Sequence, residues 1–192
     1  MTPGAVILAA PGPSLPSFRL GEHGTLPDIL AITSAFAAVP RARHVYSCDR
    51  RWWDVYHPDV LAQHPTADLW MCDDARPAVP GVTALKIDPN TSDISRTPGL
   101  LHGGKNSGYQ AINLAVLLGY TTLLLVGYDM RRVEGSPHFF GEYAHPHLRR
   151  ASPYAEWVPL FRTIRCDGFE VINCTPDSAL DAFPTGRLED YL

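Results

Sequence analysis

The sequence predicts an α/β domain of three layers, with helices on both faces of a mostly parallel central sheet. The apolar run at residues 5–10 ends at Gly12-Pro13-Ser14-Leu15 and reads as a first strand buried on both faces. Apolar runs of strand length recur at 29–33, 44–48, 68–72, 82–87, 121–126 and 169–174. They are rich in Val, Ile, Leu or aromatics and are bounded by Gly, Pro or Asp. A helical pattern at 107–118 then joins the run at 121–126 through Gly119, the short helix-to-strand join of an α/β unit.

Within that helix Ala111, Leu114, Ala115 and Leu118 share one face, and Ile112 and Val116 fill another. A helix apolar on most sides is packed deep in a domain. A second helix is expected from Ser152, which can cap, with Pro153 in the first turn. Tyr154, Trp157, Val158, Phe161 and Arg165 would share its stripe, and Pro159 would kink it or mark a broken start. Residues 89–105 and 131–150 lack a period, and loops of that length are usually functional or mobile.

A chain of 192 residues supports one domain with a sizeable core. Apolar content of 45% with 19% charge belongs to a folded globular class. A formal net charge of −4 leaves no overall basic footprint for nucleic acid. Only Arg50-Arg51 and Arg149-Arg150 could make a local basic groove. Cys48, Cys72, Cys166 and Cys174 form no C-x-x-C pair, so zinc-ribbon and redox motifs are absent. They read as reduced thiols of a cytoplasmic protein. No signal peptide and no apolar run near the ~20 residues of a membrane span is seen.

Candidate chemistry collects at the carboxyl ends of the strands, where ligands of such sheets bind. Backbone N–H groups and the hydroxyl of Gly12-Pro13-Ser14 can meet a phosphate there, or the residues form an ordinary turn. Asp129 ends the run Val126-Gly127-Tyr128-Asp129 and would enter the same crevice, unless it only caps a turn. Asn106-Ser107-Gly108 opens the buried helix, whose N-terminus is a ready anion site and also a place for a simple cap. His138, His145 and His147 fall within ten residues of loop. Their spacing lacks the pattern of a zinc site, and a general base or acid is the better reading, beside that of a solvated loop. Trp52-Trp53 can stack on a base or sugar, although one Trp in the core and one over a loop is the commoner arrangement. The absence of G-x-S-x-G, D-x-D and Walker A patterns lowers the weight of hydrolase, metal-dependent sugar-nucleotide and P-loop readings.

The segments Leu8-Ala9-Ala10-Pro11-Gly12-Pro13-Ser14-Leu15, Asn106-Ser107-Gly108 and Leu118-Gly119-Tyr120 through Asp129, with Asn173-Cys174-Thr175-Pro176-Asp177-Ser178, resemble the bacterial sialyltransferases of glycosyltransferase family 42. Over nearly the whole chain the sequence also resembles small proteins encoded in tailed-phage genomes, and its Gly-Pro-Ser-Leu start resembles that of pterin diphosphokinases. The first resemblance implies a Rossmann-like domain that binds a cytidine monophosphate sugar without metal or other cofactor. By position, Gly12, Ser14, Ser107 and Gly108 would contact the nucleotide, and His147 would be the catalytic base. His138 stands where the family has a phosphate-binding Tyr. Pro11 replaces a family Asn, Ser34 stands near a nucleotide-binding Asn, and the lid of the larger enzymes is reduced.

The function expected is that of a metal-independent glycosyltransferase. His147 or His145 would deprotonate the acceptor, and His138 with the helix start would stabilise the leaving phosphate. The alternatives are a nucleotide-dependent phosphotransferase, with Mg²⁺ on Asp49 or Asp129, and a non-catalytic phage accessory protein of the same fold. The partners expected are a nucleotide or nucleotide-sugar and an acceptor, with no membrane; a homo-oligomer is compatible with the sequence.

Overall fold

The computed structural model describes residues 4–72, 78–104 and 106–192. Eight strands form its sheet: β1 Ala5–Ala9, β2 Asp28–Ile32, β3 His44–Ser47, β4 Asp68–Cys72, β5 Val82–Ile87, β6 Leu100–Leu101, β7 Thr122–Val126 and β8 Glu170–Asn173. Their order is β6-β5-β4-β3-β2-β1-β7-β8. Every neighbouring pair is parallel. The α/β Rossmann-like class is therefore observed, with a sheet that is wholly parallel.

The central strands are apolar throughout because both faces are covered. Val6, Leu8, Leu30, Ile32, Leu123 and Leu125 point into one core. Their alternates Ile7, Ala9, Ile29, Ala31, Leu124 and Val126 point into the other. Helix α2, Ser107–Leu117, fills the first core with Ala111, Ile112, Leu114 and Ala115. Helix α1, Arg50–Gln63, packs Trp52, Trp53 and Val60 into the second.

Helix α1 was not expected from the sequence. Pro58 lies inside it, and its mostly polar outer face hides the buried stripe. The legible signals are Asp49, whose side chain accepts from the Arg51 N–H at the helix start, and the 52-53-56-60 spacing of apolar residues. Both tryptophans are core residues. Trp52 Nε1 donates to Ser34 Oγ at 3.0 Å and Trp53 Nε1 to the Ser47 carbonyl at 3.2 Å. Neither indole is left to stack on a ligand.

Helix α3 covers Tyr154–Phe161, and Pro153 stands at its N-cap in place of the expected Ser152. Pro159 does not break the helix abruptly. The chain tightens after it into i→i−3 bonds from Arg162, Thr163 and Ile164. Arg165 falls beyond the helix and bonds Asp93 instead. The aperiodic segment before α2 contains β6, too short to register as a pattern, and its last residue, Lys105, lies outside the described residues.

The chain walks outward from β1 to β6, then returns through α2 to place β7 on the other side of β1. That reversal makes β1 and β7 the switch point, and the loops leaving their carboxyl ends lie side by side. Among the described residues no helix is long and apolar enough to cross a membrane.

Candidate functional site

A cleft of about 1120 Å³ opens at the carboxyl edge of the sheet. Its floor comes from the segments after β1, β2, β3, β6 and β7 and from the first turn of α2. Its far wall is Pro137, His138, Glu142, Tyr143 and the stretch from Arg150 into α3. Gly12, Asp49, Asn106, Ser107, Gly108, Asp129 and His138 line it together. Pro13, Ser14, Ser34, His145 and His147 do not form part of that wall.

The Gly12 loop and Asp129 meet although 115 residues separate Ser14 from Asp129. Ser14 Oγ donates to Asp129 Oδ2 at 2.8 Å and the Ser14 N–H donates to the same oxygen at 3.3 Å. A Cβ on Gly12 would collide with the Asp129 carboxylate and the Gly127 carbonyl, so glycine is what lets the two loops touch. The Gly12 N–H is spent on the Gly127 carbonyl and the Leu15 N–H on the Gly12 carbonyl. Pro11 and Pro13 have no N–H. The loop therefore offers no free amide donor. Its geometry holds Asp129, which is buried to 3% exposure, in the cleft floor.

Free donors sit instead at α2. Asn106 caps the helix by accepting from the Tyr109 N–H at 2.9 Å. The Ser107 and Gly108 N–H groups have no hydrogen-bond partner among the described residues. Asn106 Nδ2 is likewise without one. The Ser107 hydroxyl is occupied: it accepts from the Cys48 N–H and donates to Cys48 Sγ, each at 3.1 Å. That pair ties the end of β3 to the start of α2, and burial pushes the Cys48 thiol pKa up. Asp49 is engaged by Arg51 through both the backbone N–H and the guanidinium.

The 131–150 segment folds over the cleft on an aromatic cluster. His138 stacks on Phe140, with ring centroids 4.9 Å apart, and touches Tyr143. The Phe139 N–H donates to the Pro11 carbonyl at 3.1 Å, which joins the segment to the Gly12 loop. His138 Nδ1 lies 3.2 Å from the Gly141 carbonyl. A carbonyl only accepts, so Nδ1 carries the proton and neutral His138 has its lone pair on Nε2. Burial lowers the His138 pKa, against the Gly141 carbonyl and Glu142, which raise it. Nε2 is thus a base at neutral pH.

His145 and His147 are exposed, at the N-cap and within the 3₁₀ turn Pro146–Leu148. Their rings lie 5.8 Å apart, and His145 also packs on Tyr56 of α1. Ser34 sits behind the wall, buried between the Trp52 indole and the Tyr143 hydroxyl. Its neighbour Thr33 lines the cleft instead.

Several further residues complete the cleft. Thr33 and Met130, both in the wall, hold left-handed backbone at φ 47° and 49°. A β-branched residue is strained there, and such strain gathers at functional sites. Arg150 faces the cleft with no ion pair or hydrogen bond among the described residues. Tyr154, Trp157 and Leu160 of α3 supply an apolar wall. His102, from the segment after β6, also lines it. Only a lone His before Gly103-Gly104 marks that position in the sequence.

Compared with known proteins, the chain matches no family model, no curated protein and no solved structure.

Proposed function

We propose that this protein is a metal-independent glycosyltransferase that takes a nucleotide-activated sugar in the carboxyl-edge cleft. The observation that carries the reading is the meeting of three features in one cavity. These are the unpartnered N–H groups at the start of α2, the Asp129 carboxylate held by Ser14, and a neutral histidine with its lone pair free. Helix N-termini bind phosphate oxygens. At about 1120 Å³ the cleft exceeds the ~300–1,000 Å³ of ordinary ligand pockets and has room for a nucleotide and a sugar. The Tyr154 and Trp157 rings, 6.0 Å apart, offer apolar faces against which a sugar or its acceptor can lie.

In this reading the acceptor hydroxyl gives its proton to His138 Nε2 as its oxygen attacks the anomeric carbon. The bond from that carbon to the phosphate oxygen breaks, and the phosphate leaves with the electron pair. The Ser107 and Gly108 N–H groups stabilise the charge that develops on it. His138 takes the base role because it is the histidine of the 131–150 segment that lines the cleft. Asp129 would fix the orientation of a ligand hydroxyl or amino group.

A thermal-shift screen of nucleotides and nucleotide sugars finds the donor, since a bound ligand raises apparent stability by mass action. Incubation of the hit with mixed sugar acceptors should then release free nucleotide and form a glycoside, equally in EDTA and in Mg²⁺. Turnover that vanishes in EDTA and returns with Mg²⁺ would hand the site to a phosphotransferase. Binding without turnover would leave a non-catalytic nucleotide-binding protein.

A further inference from the structure

We infer that His102 is a ligand-contacting residue, and that it hydrogen-bonds a phosphoryl group of the nucleotide alongside the first turn of α2. The inference rests on the nucleotide reading above and adds a residue to it.

The main chain of His102 is held on both sides by buried amides of α2. The His102 N–H donates to Asn113 Oδ1 and the His102 carbonyl accepts from Gln110 Nε2, each at 2.9 Å. Asn113 and Gln110 are at 0% and 2% exposure. Asn113 also brackets Ser95 by two bonds, and Gln110 Oε1 accepts from the Tyr46 hydroxyl at 2.9 Å. Burying two amides to fix one loop is costly unless they are bonded, and here each side-chain oxygen and nitrogen has at least one partner. The following turn lies flat on Tyr109: a Cβ on Gly104 would come within 2.6 Å of that ring. The His102 ring itself packs on Tyr109 with centroids 5.1 Å apart.

The ring is not bonded in the way its backbone is. Among the described residues, Nδ1 is buried with no hydrogen-bond partner. Nε2 has none there either, and it is not buried. A buried N–H without an acceptor is the costlier of the two arrangements for Nδ1. The proton of the neutral ring therefore belongs on Nε2, the accessible nitrogen of a residue that lines the cleft. Ser107 and Gly108, with their free N–H groups, line the same cleft. An acceptor-only, multiply anionic group satisfies all three, and a phosphoryl group is that ligand.

Burial lowers the pKa of the ring, while the carboxylates of Asp93 and Asp88 raise it. Among the described residues, Tyr109 packs on the ring and points its hydroxyl to Thr163, and Asp93 is paired with Arg165. Protonation would put a second N–H on Nδ1, which is buried without an acceptor, so the ring meets the phosphoryl group as a neutral Nε2–H donor.

Calorimetric titration with the four 5′-nucleoside monophosphates and their matching nucleosides tests this. For the tightest-binding base, His102→Ala should weaken the monophosphate at least ten-fold and leave the nucleoside unchanged. His102→Gln, which keeps a donor, should retain most of the affinity. Equal monophosphate affinity in the native protein and a folded His102→Ala variant overturns the inference and leaves the nucleotide reading intact. Loss of nucleoside and monophosphate binding alike also overturns it. Failure of the native protein to bind any of the eight compounds removes the nucleotide reading itself, and this inference with it.

Discussion

The two edges of the sheet use similar polar residues to opposite ends. At the amino edge His44 Nε2 donates to the Tyr120 hydroxyl at 3.1 Å, and Tyr120 donates to Asp28 at 2.7 Å. Trp70 Nε1 reaches His44 Nδ1 at 3.4 Å, with Asp68 at the same distance and Arg43 beyond it. His64, beside this edge, accepts from the Ala42 N–H on Nδ1 and reaches the Phe36 carbonyl through Nε2. Each ring nitrogen of both histidines has a partner. At the carboxyl edge, among the described residues, His102 has none for its ring, and Ser107 and Gly108 keep free N–H groups. A closed network holds strands together; an open one leaves donors that a ligand can meet.

The sharpest way to separate the edges is to remove one group from each. His138→Ala should lower turnover by about 10²-fold or more, the usual scale for a general base. Normal turnover in that variant would move the base elsewhere, with His145 and His147 next to be replaced. Tyr120→Phe should act on stability instead. It strips a partner from both His44 and Asp28, at a cost of ~1–3 kcal/mol. For a chain of this size each ~1 kcal/mol lowers Tm by about 2–4 °C, with nucleotide affinity unaltered. A Tyr120→Phe protein that melts normally but binds poorly would break the comparison.

Proton linkage gives a third test. Burial lowers the pKa of His44, His102 and His138 below 6.5 in the folded protein. For His44, Asp68 opposes that shift, Arg43 adds to it and Asp28 opposes it. As pH falls through about 6.5 the unfolded chain binds protons that the folded one refuses, so stability present above that pH is lost below it. Tm should fall between about pH 7 and pH 5.5, and His44→Gln should remove part of that slope. A Tm that rises on acidification over this range would reverse the sign of the burial effect. The smallest effect belongs to Thr33. Thr33→Gly should release backbone strain of ~1 kcal/mol and raise Tm by about 2–4 °C; an unchanged Tm would mean that the left-handed backbone there stores nothing.

Strands were legible because apolar runs report burial on both faces, and each expected run holds a strand within a residue or so of its limits. The nearness of Ser14 and Asp129 was legible too. Each lies just past the end of a parallel strand, and in a parallel sheet all such loops gather at the carboxyl edge. The illegible features depend on pairing across long stretches of chain. That the Ser107 hydroxyl is taken by Cys48, 59 residues away, while its N–H stays free, is not legible locally. The N–H groups of the Gly12 loop read as a cradle until Asp129 and Gly127 occupy them. Trp52 and Trp53 read as candidate stacking residues until α1, disguised by Pro58, turns both inward. His102 carried no local pattern at all, because its importance lies in the partner it lacks.

The central claim, that the carboxyl-edge cleft is the nucleotide site, is tested most directly by following backbone amides during a nucleotide titration. In ¹H–¹⁵N spectra the Ser107 and Gly108 resonances should shift saturably with the tightest-binding nucleotide, while those of Ala42, Arg43 and Tyr120 at the amino edge stay in place. Saturable shifts confined to the amino edge, or none at millimolar concentrations of any nucleotide, would contradict the account.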